Sequence, residues 1–351
     1  MLSEEPTVLP SAFPYARPLA GIARLARAEQ WWSYKLSPML AIYYATLLRC
    51  GSSIADAGWR GLLLVAGIGA CAVYVSLSND LADRQDDRVA GKPNRLEGKS
   101  AAFVFAALAA PVALGMVVAW FWHNNPALLL AFAGSWICFS AYSFAPLRLK
   151  ARGAWGVAAD AAGAHGFPAL LAVLLAYDAA GQVPNLIWCI CVVGWSGAFG
   201  IRGILWHQLF DSTADRRSAT ATFVQRHGAA ITRAIVQRLL FPVELSLLLA
   251  CLWLVPGRLS MFALALYTLF LIAKMIRFDI RPTLVASVPR YVLVLVEFYV
   301  VIWPLALLAE AAWRHPLDIV VLALHAILFQ GPIRDLVNDL RQLRLHRAYL
   351  D

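Results

Sequence analysis

Apolar runs recur along this chain at 32–49, 61–79, 101–122, 126–144, 154–176, 186–206, 235–255, 259–273 and 290–309. Most approach the roughly 20 residues that a helix needs to cross a hydrocarbon layer of about 30 Å. A tenth run, 317–331, is shorter and contains His325. In hydrocarbon a backbone has to satisfy its own N–H and C=O groups, so runs of this length predict helices. The expected fold is all-α, a polytopic transmembrane helical bundle of nine or ten spans in a lipid bilayer. No alternation of period two competes with it. Composition agrees: 61% of the residues are hydrophobic and 15% charged, against roughly 45–50% and 25% in soluble domains. That excludes a disordered chain, a collagen, a secreted disulfide scaffold and an ordinary soluble enzyme. Six cysteines without a CxxC pair leave neither a zinc site nor a disulfide framework to expect.

The 30 Lys and Arg residues give a formal charge of +9. They gather in short segments between the runs, so they read as topology signals and anion contacts and not as a nucleic-acid surface. With the N-terminal segment cytoplasmic and ten spans, 24 of them fall on the cytoplasmic side and 4 outside. This asymmetry favours a tenth crossing, since nine would leave four tail arginines outside. The other reading of 317–331 is a segment that re-enters or lies at the interface. Nothing marks a second domain, so 1–351 reads as one domain. Residues 1–30 form a cytoplasmic segment, and 332–351 an amphipathic cytoplasmic tail with Ile333, Leu336, Leu340 and Leu343 on one side.

Two hydrophilic segments, about 80–100 and 207–234, fall on the same side, four spans apart. In the first, Asn79, Asp83 and Asp87 advance by four residues each. If the preceding helix continues, they form one stripe, with Asp80 near it through its spacing of three to Asp83. In the second, Asp211 and Asp215 repeat the spacing. Carboxylates stacked on one face repel one another unless cations intervene, and hard oxygen ligands suit Mg²⁺ together with phosphate oxygens. Two such helix ends facing each other can grip a diphosphate through bound cations, with nearby Arg and Lys neutralising the remaining charge.

Asn79-Asp80-x-x-Asp83-x-x-x-Asp87, followed by Lys92-Pro93-Asn94-Arg95, resembles the first acidic motif and trailer of the UbiA superfamily of intramembrane prenyltransferases. Asp211-x-x-x-Asp215-Arg216 resembles the second acidic motif of that family. Tyr142-Ser143 with Pro146, Arg148, Leu149 and Lys150 resembles its segment between the fourth and fifth helices. The motif order and separation match as well. The resemblance implies a UbiA-like bundle and a Mg²⁺-dependent reaction. Asp83, Asp87, Asp211 and Asp215 would be catalytic, and with Asp80 they would be the metal ligands. Asn79, Asp80, Tyr142, Arg148, Lys150 and Arg216 would bind substrate. The implied reaction moves a prenyl group from a polyprenyl diphosphate to a lipophilic or aromatic acceptor and releases diphosphate. Two other enzymes fit the same scaffold: a terpene cyclase, and a phosphoribosyl transferase acting on polyprenyl phosphate. A transporter or lipid-binding protein is the rival without catalysis, although its site should lie near the membrane midplane. A GC-rich bacterium and its inner membrane, with the aspartates on the cytoplasmic side, suit the composition.

Asp160, His165, Arg202, Glu244 and Glu297 fall inside apolar runs, where an ionisable group marks a function or a partner. Asp160 and His165 stand five apart, about 140° on an ideal helix, and do not share a face; pocket and structural readings both stay open for them. His207, one turn before Asp211, is expected to line the pocket as a substrate-binding residue. Glu244 and Glu297 are expected to pair with Arg238 or Arg202.

Overall fold

The apolar runs become helices in the computed structural model, which describes residue 21 and residues 23–278, 280–285 and 291–345. Positions 1–20, Arg290 and the end of the tail, 346–351, lie outside the described residues. So do the topology assignments of Arg17, Arg290 and Arg347. The elements in chain order are α1 (28–49), α2 (Gly58–Ala82), α3 (Arg84–Ala90), α4 (Ala101–Trp120), α5 (Pro126–Ser143), α6 (Ala154–Ala180) and α7 (Leu186–Phe210). There follow α8 (Ser212–Arg217), α9 (Phe223–Leu254), α10 (Leu259–Phe278), α11 (298–314), α12 (Asp318–Leu328) and α13 (Gln330–Leu345).

Seven of these helices, α2, α4–α7, α9 and α10, are long and apolar enough to cross a membrane; α12 and α13, bent by 82°, together make an eighth candidate. Helix α11 falls outside that set by its length, and α1 by its more polar sequence, which its burial explains. Every residue of α1 from Ser37 to Leu48 is buried, and Phe298–Val301, Trp303 and Pro304 of α11 are buried too. A helix packed on all sides by other helices need not be as apolar as one facing lipid. The contrast is α4, which exposes Phe105, Met116 and Val117. Helix α1 packs on α6 and α11, α7 on α9, and α2 on α4, so α1 and α11 sit at the heart of the bundle.

Four helices contain a five-residue π-turn: Trp32–Leu36 in α1, Ala162–Gly166 in α6, Val236–Leu240 in α9 and Phe298–Ile302 in α11. Each is followed by a proline two residues on: Pro38, Pro168, Pro242 and Pro304. Proline offers no N–H and crowds the carbonyl one turn back, and the wider turn accommodates both.

Two expected boundaries move. The run at 235–255 is the outer part of α9, which starts at a Thr222 cap whose hydroxyl accepts from Gln225 N–H, with Gly228 (φ 80°) kinking it. The run at 290–309 opens as a strand, which corrects the purely helical expectation. Tyr291–Leu293 pairs in parallel with Arg281–Thr283. Arg202 fixes this pair to the bundle. Its guanidinium grips Glu244 through two bonds of 2.7 Å and donates to the Leu284 and Val294 carbonyls. Tyr299 donates to the same carboxylate. The expected Arg202–Glu244 pair is therefore present, whereas Glu297 pairs with Lys274 at 2.7 Å.

The last helices are tied at both ends. Buried Asp318 accepts from Ser53 Oγ and from the backbone N–H groups of Ile54 and Ala55, in the α1–α2 loop. Ten residues later the Leu328 carbonyl accepts from Trp32 Nε1, at the opposite end of α1. Lys274, near the end of α10, then bridges Glu297 and Asp339 of α13.

Candidate active site

Helical hydrogen bonding runs past the formal ends of α2 and α7. Asp83 N–H donates to the Asn79 carbonyl at 2.9 Å, and Asp87 N–H to the Asp83 carbonyl at 2.8 Å. Asp211 and Asp215 repeat this with His207 and Asp211, at 2.8 and 2.9 Å. Both acidic stripes are thus real helical stripes. Helices α3 and α8 touch, and the stripes meet across a cavity of about 280 Å³.

The cavity lining includes nine of the expected residues: Asn79, Asp83, Asp87, Tyr142, Lys150, Asp160, His207, Asp211 and Asp215. Four do not line it. Asp80 lies 100° from Asn79 around α2, faces the N-terminal segment, and is paired with Arg27 and with Arg95 at 3.8 Å. It is 1% exposed and lies away from the cavity lining. Arg148 backs the wall by pairing with Asp86. Arg216 is exposed on the outer side of α8. His165 is buried deeper, its Nε2 2.7 Å from Lys35 Nζ. The two π-turns that carry Lys35 and His165 bring these residues together.

Sequence reasoning missed Asp86, Lys92 and Gln208, which also line the cavity. Asp86 carried a signal, because its spacing of three from Asp83 keeps both on one side of a helix. Lys92 follows Gly91, whose positive φ of 71° turns the chain back; its ammonium reaches Asp211 at 2.9 Å and so joins the two motifs. Lys150 pairs with Asp83 from the third motif. Asn94 donates to Asp87 Oδ2 at 2.8 Å and to the Asp80 carbonyl at 2.7 Å, which fixes the trailer.

Six carboxylates line the cavity against two lysines, so its field strongly favours cations. Burial, reinforced by Asp211, pushes Asp215 up to about 6, and Thr222 Oγ1 donates to it at 3.2 Å. Burial also raises Asp87. Among the described residues no three His, Cys, Asp or Glu side chains converge closely enough to hold a metal alone. A cation between the stripes would therefore complete its shell with other oxygens, water among them.

The family model described as the UbiA prenyltransferase family matches residues 38–283. Among solved structures, the chain is similar to a UbiA homolog from Archaeoglobus fulgidus. The Cd²⁺-bound form has 18% identity and a TM-score of 0.55, covering 84% of this chain and 98% of that one. The form bound to DMAPP and Mg²⁺ has 16% identity and a TM-score of 0.50, covering 89% and 98%. The form bound to GPP and Mg²⁺ has 15% identity and a TM-score of 0.50, with the same coverage. At these identities the likeness is one of fold. No curated protein matches the chain by sequence.

Proposed function

We propose, on the premise that this chain belongs to the UbiA prenyltransferase family, that it transfers a prenyl group from a polyprenyl diphosphate to a lipophilic or aromatic acceptor. The observation that carries this reading is the single cavity bounded by both acidic stripes and crossed by Lys92 and Lys150. The related archaeal structures hold DMAPP or GPP with Mg²⁺, which supports the same ligands here.

The donor set fits Mg²⁺: hard carboxylate oxygens, too few at any one point, leave positions for phosphate oxygens and water. Asp83 and Asp87 on one wall and Asp211 and Asp215 on the other would hold it. Bound there, such a cation neutralises diphosphate and makes it a leaving group. The protein's own groups do the rest. Lys92, Lys150 and Arg148 are freed from their carboxylates to meet phosphate oxygens. The bond pair of the allylic C–O bond leaves with diphosphate, and the acceptor bonds to that carbon. The acceptor's proton has the Asp160 carboxylate and the His207 imidazole within the same cavity. The apolar bundle below keeps water from the allylic cation.

The ties of the last helices support the proposed topology. Asp318 is bonded at the level of the α1–α2 loop, and Leu328 at the level of Trp32. In this reading the chain crosses the bilayer ten times, the tenth by the short α12, in a bacterial inner membrane with the cavity at the cytoplasmic face.

Asp83→Asn and Asp211→Asn, assayed with Mg²⁺ and allylic diphosphates plus a lipid extract, are expected to lose at least about 100-fold in diphosphate release. Their melting temperatures should stay close to wild type. Normal turnover in both folded variants would remove the site assignment.

A further inference from the structure

Of the six carboxylates that line the cavity, the five at the acidic motifs each accept from a lysine, arginine, asparagine or threonine side chain. The sixth, Asp160, has no hydrogen bond or ion pair among the described residues. Lys35, the charge whose field reaches it, is committed to His165 Nε2 at 2.7 Å. The Asp160 side chain is half-buried, and both of its oxygens keep accessible surface where it borders the cavity. It is an open acceptor and not a sealed one.

Its place is set by the start of α6. Gly153, just ahead of that helix, is bridged to Thr222, which donates to Asp215. Asp160 follows the first residue of α6 by six, about 9 Å along the axis. It therefore borders the cavity away from the second stripe, toward the inside of the bundle. A carboxylate there loses water without gaining a donor, and such a group is costly until something donates to it. A diphosphate brings no donor and repels it. A hydrocarbon chain brings none either. The remaining component is the acceptor molecule. An ammonium on that molecule would satisfy the charge but has no lone pair with which to attack, whereas a hydroxyl offers both the hydrogen and the lone pair.

We propose that Asp160 seats the acceptor substrate by its hydroxyl group and takes that proton, so that the acceptor is an alcohol or a phenol alkylated on oxygen. The inference rests on the cavity being a prenyl diphosphate site. The allylic C–O bond breaks and its electron pair leaves with diphosphate. A lone pair of the acceptor oxygen forms the new bond to that carbon. The O–H bond pair stays on the acceptor oxygen, and the proton passes to an Asp160 oxygen. Because Asp160 stands on a different helix from both stripes, it serves the acceptor without being a ligand to the cations that hold the donor.

The test uses full-length protein in detergent with Mg²⁺. Geranyl thiolodiphosphate, which binds without ionising, reports donor binding. Geranyl diphosphate is then turned over with methanol, a small O–H nucleophile, or with azide, a nucleophile that has no proton to lose. Products are identified by mass spectrometry. Wild type is expected to form geranyl methyl ether and geraniol. Asp160→Asn should bind the thiolodiphosphate as wild type does, lose both oxygen products by at least about 100-fold, and recover turnover with azide as geranyl azide. Asp160→Ala repeats the comparison should Asp160→Asn fold poorly. Undiminished ether formation in the folded variants overturns the inference. So does a loss that azide does not restore, and so does failure of both variants to fold, which makes Asp160 structural. Wild type that binds the thiolodiphosphate but forms neither ether nor alcohol, being inert or releasing only hydrocarbon, also overturns it and leaves the diphosphate site standing. Absence of thiolodiphosphate binding by wild type removes the prenyl diphosphate reading, and the inference with it.

Discussion

At the scale of residues, burial decides what each carboxylate can do. Asp215, pushed up to about 6 by burial and by Asp211, resists ionisation in the folded protein. Its raised value favours the fold most below the unfolded carboxylate value near 3.9. That contribution is lost as pH rises through about 6. A cation between the stripes reverses the balance by favouring the ionised form. The rise in melting temperature on adding Mg²⁺ should therefore be larger at about pH 7.5 than at about pH 5.5; scanning calorimetry at the two values checks this, and equal rises would break the link. The helix-spaced aspartates were legible in the sequence because a period of four is a direct statement about geometry. The surroundings of Asp80 were not legible, because a neighbour in sequence is 100° away on a helix, and only the fold supplies Arg27 and Arg95 to face it. Lys92 and Gln208 were not legible. Their partners, Asp211 at 119 residues' separation and Val224 across a loop, are set by tertiary packing.

At the scale of elements, proline explains where the helices depart from regularity. The four π-turns each precede a proline, and two of them bring Lys35 and His165 into contact. An ideal helix predicts prolines tolerated in spans but gives no reason to expect the wide turns, so the Lys35–His165 contact was beyond sequence reasoning. The Arg202–Glu244 pair is the opposite case. Two opposite charges in apolar runs had to find partners, and one expected pairing was right. This pair holds the paired strands Arg281–Thr283 and Tyr291–Leu293 through the Leu284 and Val294 carbonyls. Glu244→Gln leaves a buried guanidinium uncompensated and should cost about 3–5 kcal/mol. Pairing it with Arg202→Met should recover much of that loss. Melting temperatures of the single and double variants decide it, and a double variant no more stable than the single one would assign the loss to packing instead.

At the scale of the whole molecule, sidedness is the property that the sequence addresses through its cations. The cations favoured a tenth crossing, while length argued against it, since 11 residues of α12 extend only about 16 Å. Asp318 bonds to the α1–α2 loop and Leu328 to Trp32, near opposite ends of α1. A cysteine introduced as Gln342→Cys should react with a membrane-impermeant maleimide in inside-out vesicles only; labelling from the outer face would reduce the count to nine. The four wide turns also have a geometric consequence. Each inserts one residue into the helical repeat, so the side chains beyond it are turned by about 100° from where a regular helix would put them. A helix interrupted in this way presents one face to its neighbours before the turn and another after it.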